Sequence, residues 1–396
     1  MTCTYTGHQL EAFLNHVAET TPGPFTGIMP HRMSAYLRSQ IEDPWFMWNE
    51  FCPSGICLEL TITAPTTIAL TGYSLDDTRQ WISIISNDHG KSRRKDVQMT
   101  GLGRLIPDLD HGSFALHAGA PMTISLEPIE GASTNYTIML SHTCLIEIIS
   151  VESDQAVHRS EGSIPRQRWT HYGSSISHGA QSPRPADRWL MQVAQRLHLD
   201  LTDLSLSGNA QLDQAAARSI ASHPADVITC AIGINIVNAD SMRERSFIPA
   251  LHGFLDTIRE RQKHTPLIVI TACTCPIQEN APGPIIIQSD GTYRVALRSV
   301  EHDEGALTLA ATRSIIERVV RQRNDPALAV MNGLDLLGAP DAHVLKDNLH
   351  PDQEGINLIA SRFATLLPNT LASMQETPAT QSMRLDLDNG ERKALQ

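Results

Sequence analysis

The chain changes its pattern of hydrophobic and polar positions near residue 165. Before that point, apolar residues alternate singly with polar ones over short stretches, as in residues 58–63 and 122–127. A period of two with one polar face is typical of antiparallel strands that cover a core on one side. Several such strands separated by turn residues predict an antiparallel, jelly-roll-like β-sandwich over residues 41–160. Residues 1–40 are set apart as an N-terminal segment.

Beyond residue 165, apolar strands alternate with amphipathic helices. The predicted strands are Trp169–Gly173, Leu201–Leu206, Asp226–Ile232, Leu267–Thr271 and Ala327–Met331. Apolar residues at helical spacing lie between them, for example Leu190, Val193 and Leu197. This alternation predicts a flavodoxin-like, three-layer α/β/α domain with a parallel five-stranded sheet over residues 165–374. A flexible C-terminal tail is expected over residues 375–396.

Composition narrows the class of protein. The 396 residues include 41% hydrophobic and 19% charged residues, which suits two folded domains. The formal net charge of −12 argues against a nucleic-acid partner. No membrane association is expected either, because no apolar stretch approaches the ~20 residues that span a bilayer. The basic run over residues 91–95 is interpreted as a solvated loop, with a phosphate-binding patch as the alternative.

The N-terminus and the cysteines favour a cytoplasmic protein. The chain opens without a basic segment leading into an apolar run, so no secretory signal is indicated. Seven scattered cysteines suit reduced thiols. Cys273 and Cys275 have no second Cys or His pair at ligand spacing, so we expect no metal and no other cofactor. The oligomeric state does not follow from the sequence.

A turn rich in hydroxyl groups follows the first of the five predicted strands. Residues 172–179 read Tyr-Gly-Ser-Ser-Ile-Ser-His-Gly. A serine at a strand-to-helix turn projects its Oγ into an open cleft beside backbone N–H groups, which suits the nucleophile of an acyl-transfer enzyme. Ser175 is the candidate, and Ser177 is the alternative. A plain capping loop also explains such a segment.

An acid and a histidine lie three residues apart near the end of the α/β region. Residues 347–351 read Asp-Asn-Leu-His-Pro. A serine hydroxyl needs an imidazole to take its proton, and that imidazole needs an acceptor on its other nitrogen. One short loop would supply both groups as Asp347 and His350. A capping loop before the last helix is the alternative, which explains Asp347 well and His350 poorly.

Two further loops offer donors for an oxyanion. Gly208 follows the second predicted strand of this sheet, and Asn235 follows the third. The backbone N–H of Gly208 and the side-chain amide of Asn235 would join the N–H of Ser175 around the developing charge. Each of these loops carries little information alone. Their value is that all follow strands of one sheet, whose carboxyl ends meet at the same edge.

Together these blocks resemble those of the SGNH hydrolases, also called the GDSL esterase/lipase superfamily. The first block of that family, Gly-Asp-Ser-(Leu/Ile)-(Thr/Ser)-x-Gly, aligns with residues 173–179 and places the nucleophile at Ser175. The glycine block aligns with Gly208, the Gly-x-Asn block with residues 233–235, and the Asp-x-x-His block with residues 347–350. The resemblance covers about residues 165–370 and implies a catalytic set of Ser175, Asp347 and His350. It also implies an oxyanion hole of Ser175, Gly208 and Asn235.

The chain departs from the family pattern at two positions. Ser174 stands where the family has aspartate before the nucleophile, and Ile236 replaces an aspartate that often follows the Gly-x-Asn block. A Gly-Ser-Ser-Ile-(Thr/Ser) version occurs in branches of the superfamily, so the departures put membership of the plain lipase-like branches in doubt, not activity. An ordinary α/β-hydrolase is disfavoured, because it requires Gly-x-Ser-x-Gly and Ser177 occupies the last position.

The resemblance implies a serine esterase that acts through an acyl-serine. The expected substrate is a small-molecule or carbohydrate ester with a short acyl group such as acetyl. An acyltransferase or biosynthetic tailoring enzyme is the alternative, and a non-catalytic binding protein is a further one. Candidate substrate-binding residues are His178, Arg243 and Arg245, although a surface histidine and a solvated helix start also explain them.

Overall fold

Short strands of alternating burial build the N-terminal part of the protein. The computed structural model describes residues 2–88, 91–108, 113–129, 133–160, 166–299, 301 and 303–393. The N-terminal strands are β1 (Cys3–Thr6), β2 (Leu14–Asn15), β3 (Glu19–Pro22), β4 (Ile28–His31), β5 (Cys57–Ile62), β6 (Thr66–Ser74), β7 (Trp81–Asp88), β8 (Lys91–Gln98), β9 (Gly103–Asp108), β10 (Ser113–His117), β11 (Met122–Leu126), β12 (Thr134–Met139), β13 (Leu145–Ser153) and β14 (His158–Arg159). A 3₁₀ helix spans Gly7–Phe13, and helices α1 (Ala35–Arg38) and α2 (Pro44–Phe51) follow β4.

These strands form two mainly antiparallel sheets around one apolar core. The larger sheet has the order β10-β9-β6-β13-β4-β3, with β1 added to β13 and β11 added to β6. The smaller one has the order β14-β5-β12-β7-β8, with β2 added to β5. Along β5, the fully buried Leu58, Leu60 and Ile62 alternate with the partly exposed Glu59 and Thr61. The predicted β-sandwich is therefore confirmed.

Two expectations about this half are wrong. Residues 1–40 are not a separate segment, since β1 and β4 pair with β13 in the larger sheet and β2 pairs with β5 in the smaller. Strands of two to four residues are too short to show a period in the sequence. The basic run 91–95 is not a loop but lies on β8, an edge strand of the smaller sheet. Charged side chains are common on such edges because they discourage pairing with other chains.

The C-terminal part is a parallel sheet with helices on both faces. Its strands are β15 (Gln167–Tyr172), β16 (Leu199–Asp203), β17 (Val227–Ala231), β18 (Leu267–Ile270) and β21 (Leu328–Met331), in the order β16-β15-β17-β18-β21. Its helices are α3 (Ser175–His178), α4 (Trp189–Leu197), α5 (Gln214–Ser222), α6 (Ile234–Ala239), α7 (Glu244–Arg259), α8 (Leu309–Arg323) and α9 (Gln353–Lys393), with 3₁₀ turns at Pro185–Asp187, Pro276–Gln278, Gly333–Asp335 and Ala339–Val344. A small hairpin, β19 (Ile285–Ile287) and β20 (Tyr293–Val295), lies outside the sheet. The predicted five-stranded α/β/α fold is confirmed.

The strand order indicates at which edge of this sheet a ligand would bind. The chain first adds β16 on one side of β15 and then β17 on the other, so β15 is where the strand order reverses. In parallel sheets, ligands bind beyond the carboxyl ends of the strands at such a switch point. The loop that carries Ser175 starts there.

The C-terminal end, where a flexible tail is expected, continues the last helix of the protein. Helix α9 runs from Gln353 to Lys393, so most of residues 375–396 is helical, while residues 394–396 lie outside the described residues.

Side chains from the segment between β4 and β5 pack into the α/β domain. Met33, Leu37 and Phe46 belong to the same buried cluster as strand β17 and helix α7 of that domain. The two halves thus share a core. The expected division at residues 160–165 falls mostly on residues outside the described part of the chain and stays a prediction.

Candidate active site

The candidate nucleophile lies at the start of a one-turn helix directly after β15. Ser174 caps α3, its Oγ accepting the Ile176 N–H at 3.4 Å, and Ser175 is the first helical residue. The first N–H groups of a helix have no partner within it and form a natural site for negative charge. Gly173 is required before this turn, because a Cβ there would collide with Ser177 Oγ. Ser175 is 7% exposed, so its hydroxyl sits in a largely enclosed position.

His350 reaches this serine from the opposite end of the domain's sequence. The Ser175 Oγ and His350 Nε2 atoms are 2.9 Å apart, and His350 Nδ1 lies 2.8 Å from Asp347 Oδ2. The other carboxylate oxygen of Asp347 accepts the backbone N–H groups of Leu349 (2.9 Å) and His350 (2.6 Å). The three residues predicted as a catalytic set are thus joined in one hydrogen-bonded chain.

The surroundings of Asp347 keep its carboxyl group ionised. Burial alone favours the neutral form, but the hydrogen bonds from His350 and from the backbone outweigh it and lower its pKa below the ordinary value. Gln181 Nε2 donates a further bond to Asp347 Oδ2 at 3.3 Å. A negative acceptor on Nδ1 holds the proton there and leaves Nε2 to accept the serine proton.

The β19–β20 hairpin fastens the loop that carries the acid and the histidine. The Tyr293 N–H donates to the Asp347 carbonyl at 2.8 Å, and Asn348 Nδ2 donates to the Tyr293 carbonyl at 3.1 Å. The Tyr293 ring meets the His350 ring edge to face, with centroids 5.7 Å apart. Sequence reasoning missed this hairpin, since two strands of three residues give no periodic signal.

One predicted oxyanion loop is hydrogen-bonded to the serine loop, and the second is hydrogen-bonded to the first. The Leu206 N–H donates to the Gly173 carbonyl at 2.8 Å, and the Ala210 N–H donates to Asn235 Oδ1 at 3.1 Å. Because a backbone N–H only donates, it fixes the Asn235 oxygen on its own side and turns the NH₂ group the other way. Gly208 has φ +73°, and open space lies where its Cβ would be. These contacts bring the predicted donor loops to the same sheet edge as Ser175.

The alternative nucleophile, Ser177, has a different environment. Its Oγ lies 2.8 Å from His171 Nε2, whose Nδ1 lies 2.7 Å from Thr229 Oγ1. Burial lowers the pKa of His171 to about 3, and Ser177 itself is only 2% exposed. This second Ser–His pair has a hydroxyl where a catalytic base needs a carboxylate, and it lacks access to substrate.

Of the candidate substrate residues, His178 contributes to the wall of a cavity between the two domains. His178 is not a surface residue: it is 3% exposed, and its nitrogens lie 3.2 Å from the Ser205 carbonyl and 2.5 Å from the His142 carbonyl. Burial, followed by the nearby arginines, lowers its pKa to about 4, and its ring nitrogens are both occupied. The contact with His142 of the sandwich explains this, and nothing local in the sequence indicates it.

Arg243 and Arg245 stand at the start of α7. Arg243 pairs with Asp240 at 2.7 Å, and Arg245 is exposed. Among the described contacts, none joins either arginine to Ser175 or His350. Both arginines therefore fit the alternative interpretation, a solvated start of a helix.

A large cavity opens between the two domains beside these groups. Its volume is about 780 Å³, and its wall combines α2 and the β6–β7 connection of the sandwich with the loop after α3. Gln181, which donates to Asp347, and Ser207, which precedes Gly208, are both part of the wall. The cavity wall thus contains direct neighbours of the candidate catalytic groups.

The described part of the chain contains no cluster of three or more His, Cys, Asp or Glu side chains able to hold a metal ion. Within the same described ranges, no helix combines the length and apolar character needed to cross a bilayer.

Comparison with known proteins agrees with this fold. Residues 171–357 match the GDSL-like Lipase/Acylhydrolase family. No curated protein shows significant sequence similarity to the chain. The predicted resemblance is confirmed, and the α/β domain is of the SGNH/GDSL hydrolase type.

Several solved structures share the two-domain architecture. The salicylyl-acyltransferase SsfX3 from a tetracycline biosynthetic pathway aligns over 91% of this chain and 95% of its own, with 17% identity and a TM-score of 0.72. A GDSL-like lipase from Bacteroides ovatus aligns over 94% and 98%, with 16% identity and a TM-score of 0.64. A family two carbohydrate esterase from Cellvibrio japonicus aligns over 93% and 98%, with 11% identity and a TM-score of 0.58. At these identities the likeness shows the fold alone.

Proposed function

We propose that this protein is a serine esterase that cleaves a carboxylic ester through an acyl-serine intermediate. The observation that carries the proposal is the continuous hydrogen-bonded chain from Ser175 Oγ through His350 to Asp347. A hydroxyl, an imidazole and a carboxylate in that order are the groups that nucleophilic acyl transfer needs.

The mechanism follows from the direction of these hydrogen bonds. His350 Nε2 takes the proton of Ser175 as Oγ attacks the ester carbonyl. The oxyanion that forms accepts hydrogen bonds from the N–H groups of Ser175 and Gly208 and from the Asn235 amide. The imidazolium then protonates the alcohol oxygen, which leaves, and Asp347 stabilises the cation in the meantime.

The second half of the reaction repeats these roles with a new nucleophile. Water gives a proton to His350 and attacks the acyl-serine carbonyl, and the collapse of the second tetrahedral intermediate returns the proton to Ser175. The acid is released and the enzyme is restored. We propose a short acyl group, such as acetyl on a carbohydrate or small metabolite, because structurally similar proteins include a family two carbohydrate esterase and an acetyl xylan esterase.

Acyl transfer is the second candidate. If an alcohol or amine replaces water in the second half, the same groups make an acyltransferase. The observation that favours this reading is the 780 Å³ cavity beside the site, which has room for an acceptor alcohol or amine. The similar structures include an acyltransferase, which supports the same possibility.

Burst kinetics with p-nitrophenyl acetate test the proposal. We expect a burst of p-nitrophenol equal to the enzyme concentration, or steady turnover, in the wild type and loss of both in Ser175→Ala. The Ser177→Ala variant should remain active, because that hydroxyl is not the nucleophile. Adding a series of alcohols then shows whether water or an acceptor takes the acetyl group. A wild-type protein that releases no p-nitrophenol would favour a non-catalytic binding protein.

A further inference from the structure

We infer that the cavity between the two domains binds the alcohol part of the ester and takes a flat ring that carries an anionic group. This inference rests on the proposed function and adds a substrate class to it. Three features of the cavity wall support it.

The first feature is the side of the catalytic groups on which the cavity lies. Gln181 is part of its wall and donates to Asp347, the carboxylate behind the histidine. The histidine delivers its proton to the departing alcohol oxygen. A cavity on the histidine side therefore receives the alcohol and not the acyl group.

The second feature is a pair of indole rings on the sandwich side. Trp48 of α2 and Trp81 of β7 both line the cavity and are partly exposed. The guanidinium carbon of Arg184 lies 5.2 Å from the centre of the Trp81 ring, which fixes that ring and occupies one of its faces. Indole faces pack well on flat rings, with little entropy lost on binding.

The third feature is a cation without a protein partner. Arg79 lines the cavity, is exposed and has no ion-pair partner among the described residues. The other charged groups of the wall are Arg184, which faces Asp96 and Asp187, and the exposed Asp76, whose carboxylate accepts the Thr78 N–H at 2.8 Å. A guanidinium free to make paired hydrogen bonds selects a carboxylate or phosphate.

Two aryl acetates that differ by a single carboxylate test this inference. We expect the wild type to have a kcat/KM for 4-acetoxybenzoate about fivefold above that for phenyl acetate, which is the size of effect an exposed charge pair gives. Arg79→Ala should bring the ratio close to one by raising KM for 4-acetoxybenzoate alone. Arg261→Ala, which removes an exposed arginine elsewhere, should leave the ratio unchanged. Trp81→Ala should raise KM for both esters, and Trp81→Phe should not.

The outcomes separate the inference from the proposed function. Hydrolysis of both esters with no preference in the wild type, or a preference that survives Arg79→Ala, would overturn the cavity assignment and leave the esterase standing. A wild type that cleaves neither ester would remove the proposed function and the inference with it.

The structure also assigns a positioning role to Asn49, on a separate observation. The side chain of Asn49 forms a pair of hydrogen bonds with the backbone of Ser207, accepting its N–H at 2.9 Å and donating to its carbonyl at 2.9 Å. It also donates to the Trp45 carbonyl at 2.7 Å and is only 3% exposed. A side-chain amide that meets one residue's N–H and C=O together fixes the orientation of that peptide segment.

The segment fixed in this way leads directly into the proposed oxyanion donor. Ser207 precedes Gly208, whose φ of +73° sets the direction of its N–H. Arg32 holds the same loop from the sandwich side by donating to the carbonyls of Asp203 (3.1 Å) and Ser205 (2.8 Å). Asn49 lies outside the family match at residues 171–357, so the oxyanion hole depends on a residue that the hydrolase domain does not contain.

Kinetics of Asn49 variants distinguish positioning from a merely structural role. In Asn49→Asp the shape is kept and the donor to the Ser207 carbonyl is lost. We expect kcat for p-nitrophenyl acetate to fall about tenfold with KM within twofold, and inhibition by phenylboronic acid, whose adduct places an oxygen in the oxyanion hole, to weaken in parallel. Asn49→Ala should do the same if it folds, which circular dichroism shows. Asn135→Asp, at an exposed position on β12, is the matched control.

A folded Asn49→Asp protein with unchanged kcat and unchanged boronate affinity would overturn this role. A change in KM alone would also overturn it, because the oxyanion hole acts on the transition state. The labelling of Ser175 by a fluorophosphonate in the wild type shows separately whether the proposed function holds.

Discussion

At the level of single residues, the proposed chemistry depends on which nitrogen of His350 carries its proton. Asp347 Oδ2 lies 2.8 Å from Nδ1 and, as an ionised carboxylate with a lowered pKa, can only accept there. The lone pair of Nε2 is therefore directed at Ser175 Oγ, 2.9 Å away. The carboxylate of Asp347 thus sets the tautomer of His350. That tautomer in turn lets His350 accept the proton of Ser175.

Replacing Asp347 by asparagine tests this dependence. An amide NH₂ that faces Nδ1 favours the wrong tautomer, so we expect kcat to fall about 10³- to 10⁴-fold for p-nitrophenyl acetate, as it does when the acid of a serine triad is neutralised. Steady-state kinetics measure the change. Asp335→Asn, an exposed acid on the 3₁₀ turn after β21, should change kcat less than twofold. A loss below tenfold in Asp347→Asn would show that the carboxylate does not set the tautomer.

The sequence predicted some of these residues and missed others for a physical reason. Ser175, Asp347 and His350 stand out because their chemistry needs specific residue types, two of them three positions apart. The burial of His178 was not predictable, because it depends on the His142 carbonyl, 36 residues away in another domain. Gln181 and Asn49 gave no signal for the same reason, since their partners are distant in sequence.

At the level of elements, the small hairpin β19–β20 supports the loop that carries the candidate acid and histidine. It holds the loop of Asp347 through one backbone hydrogen bond and covers one side of the His350 ring with Tyr293. Elements of three residues have no period, so the sequence could not show it. The five strands of the parallel sheet were predicted because short runs rich in apolar residues alternate with helical patterns, although only β18 and β21 are apolar throughout.

Truncating the ring of Tyr293 tests the role of this hairpin. We expect Tyr293→Ala to lower kcat about three- to tenfold, because the His350 ring loses a packing partner while the backbone bond to Asp347 remains. Tyr293→Phe keeps the ring and should retain nearly full activity. The comparison uses kcat for p-nitrophenyl acetate at a pH where the wild-type rate is constant. Equal losses in both variants would mean that the hydroxyl, and not the ring, matters.

At the level of the whole molecule, a buried charge network joins the two domains next to the site. Asp203, at the end of β16, pairs with Arg188 in the same domain, and its own backbone carbonyl accepts from Arg32 of the N-terminal half. Burial opposes the ionisation of Asp203, but Arg188 and Arg32 outweigh burial and hold its pKa far below the ordinary value. The shared apolar core around Phe46 also joins the two domains.

The lowered pKa of Asp203 predicts how stability depends on pH. A carboxyl group with a lower pKa in the folded state stabilises the fold above its unfolded pKa of ~3.9, and this contribution is lost as the pH falls below that value. We expect Asp203→Asn to lower the free energy of unfolding by about 3 kcal/mol at pH 7, because it leaves Arg188 buried without its counter-charge. The difference between variant and wild type should shrink from pH 5 to pH 3.

Urea unfolding followed by tryptophan fluorescence at several pH values measures this effect. Asp77→Asn, which affects an exposed pair with Arg104, is the control and should change stability by less than about 0.5 kcal/mol. An Asp203→Asn protein as stable as the wild type at pH 7 would contradict the assignment of the ionised Asp203 as the counter-charge of Arg188 in this buried network.

The most direct test of the central claim is to find which serine a fluorophosphonate modifies. Peptide mapping by mass spectrometry after labelling should place one adduct on Ser175, and Ser175→Ala should take up no label while Ser177→Ala labels as fast as the wild type. Asp347→Asn should label slowly at the same position. An adduct on another serine, or an intact wild type that takes up no label, would contradict the mechanism built on Ser175 and His350.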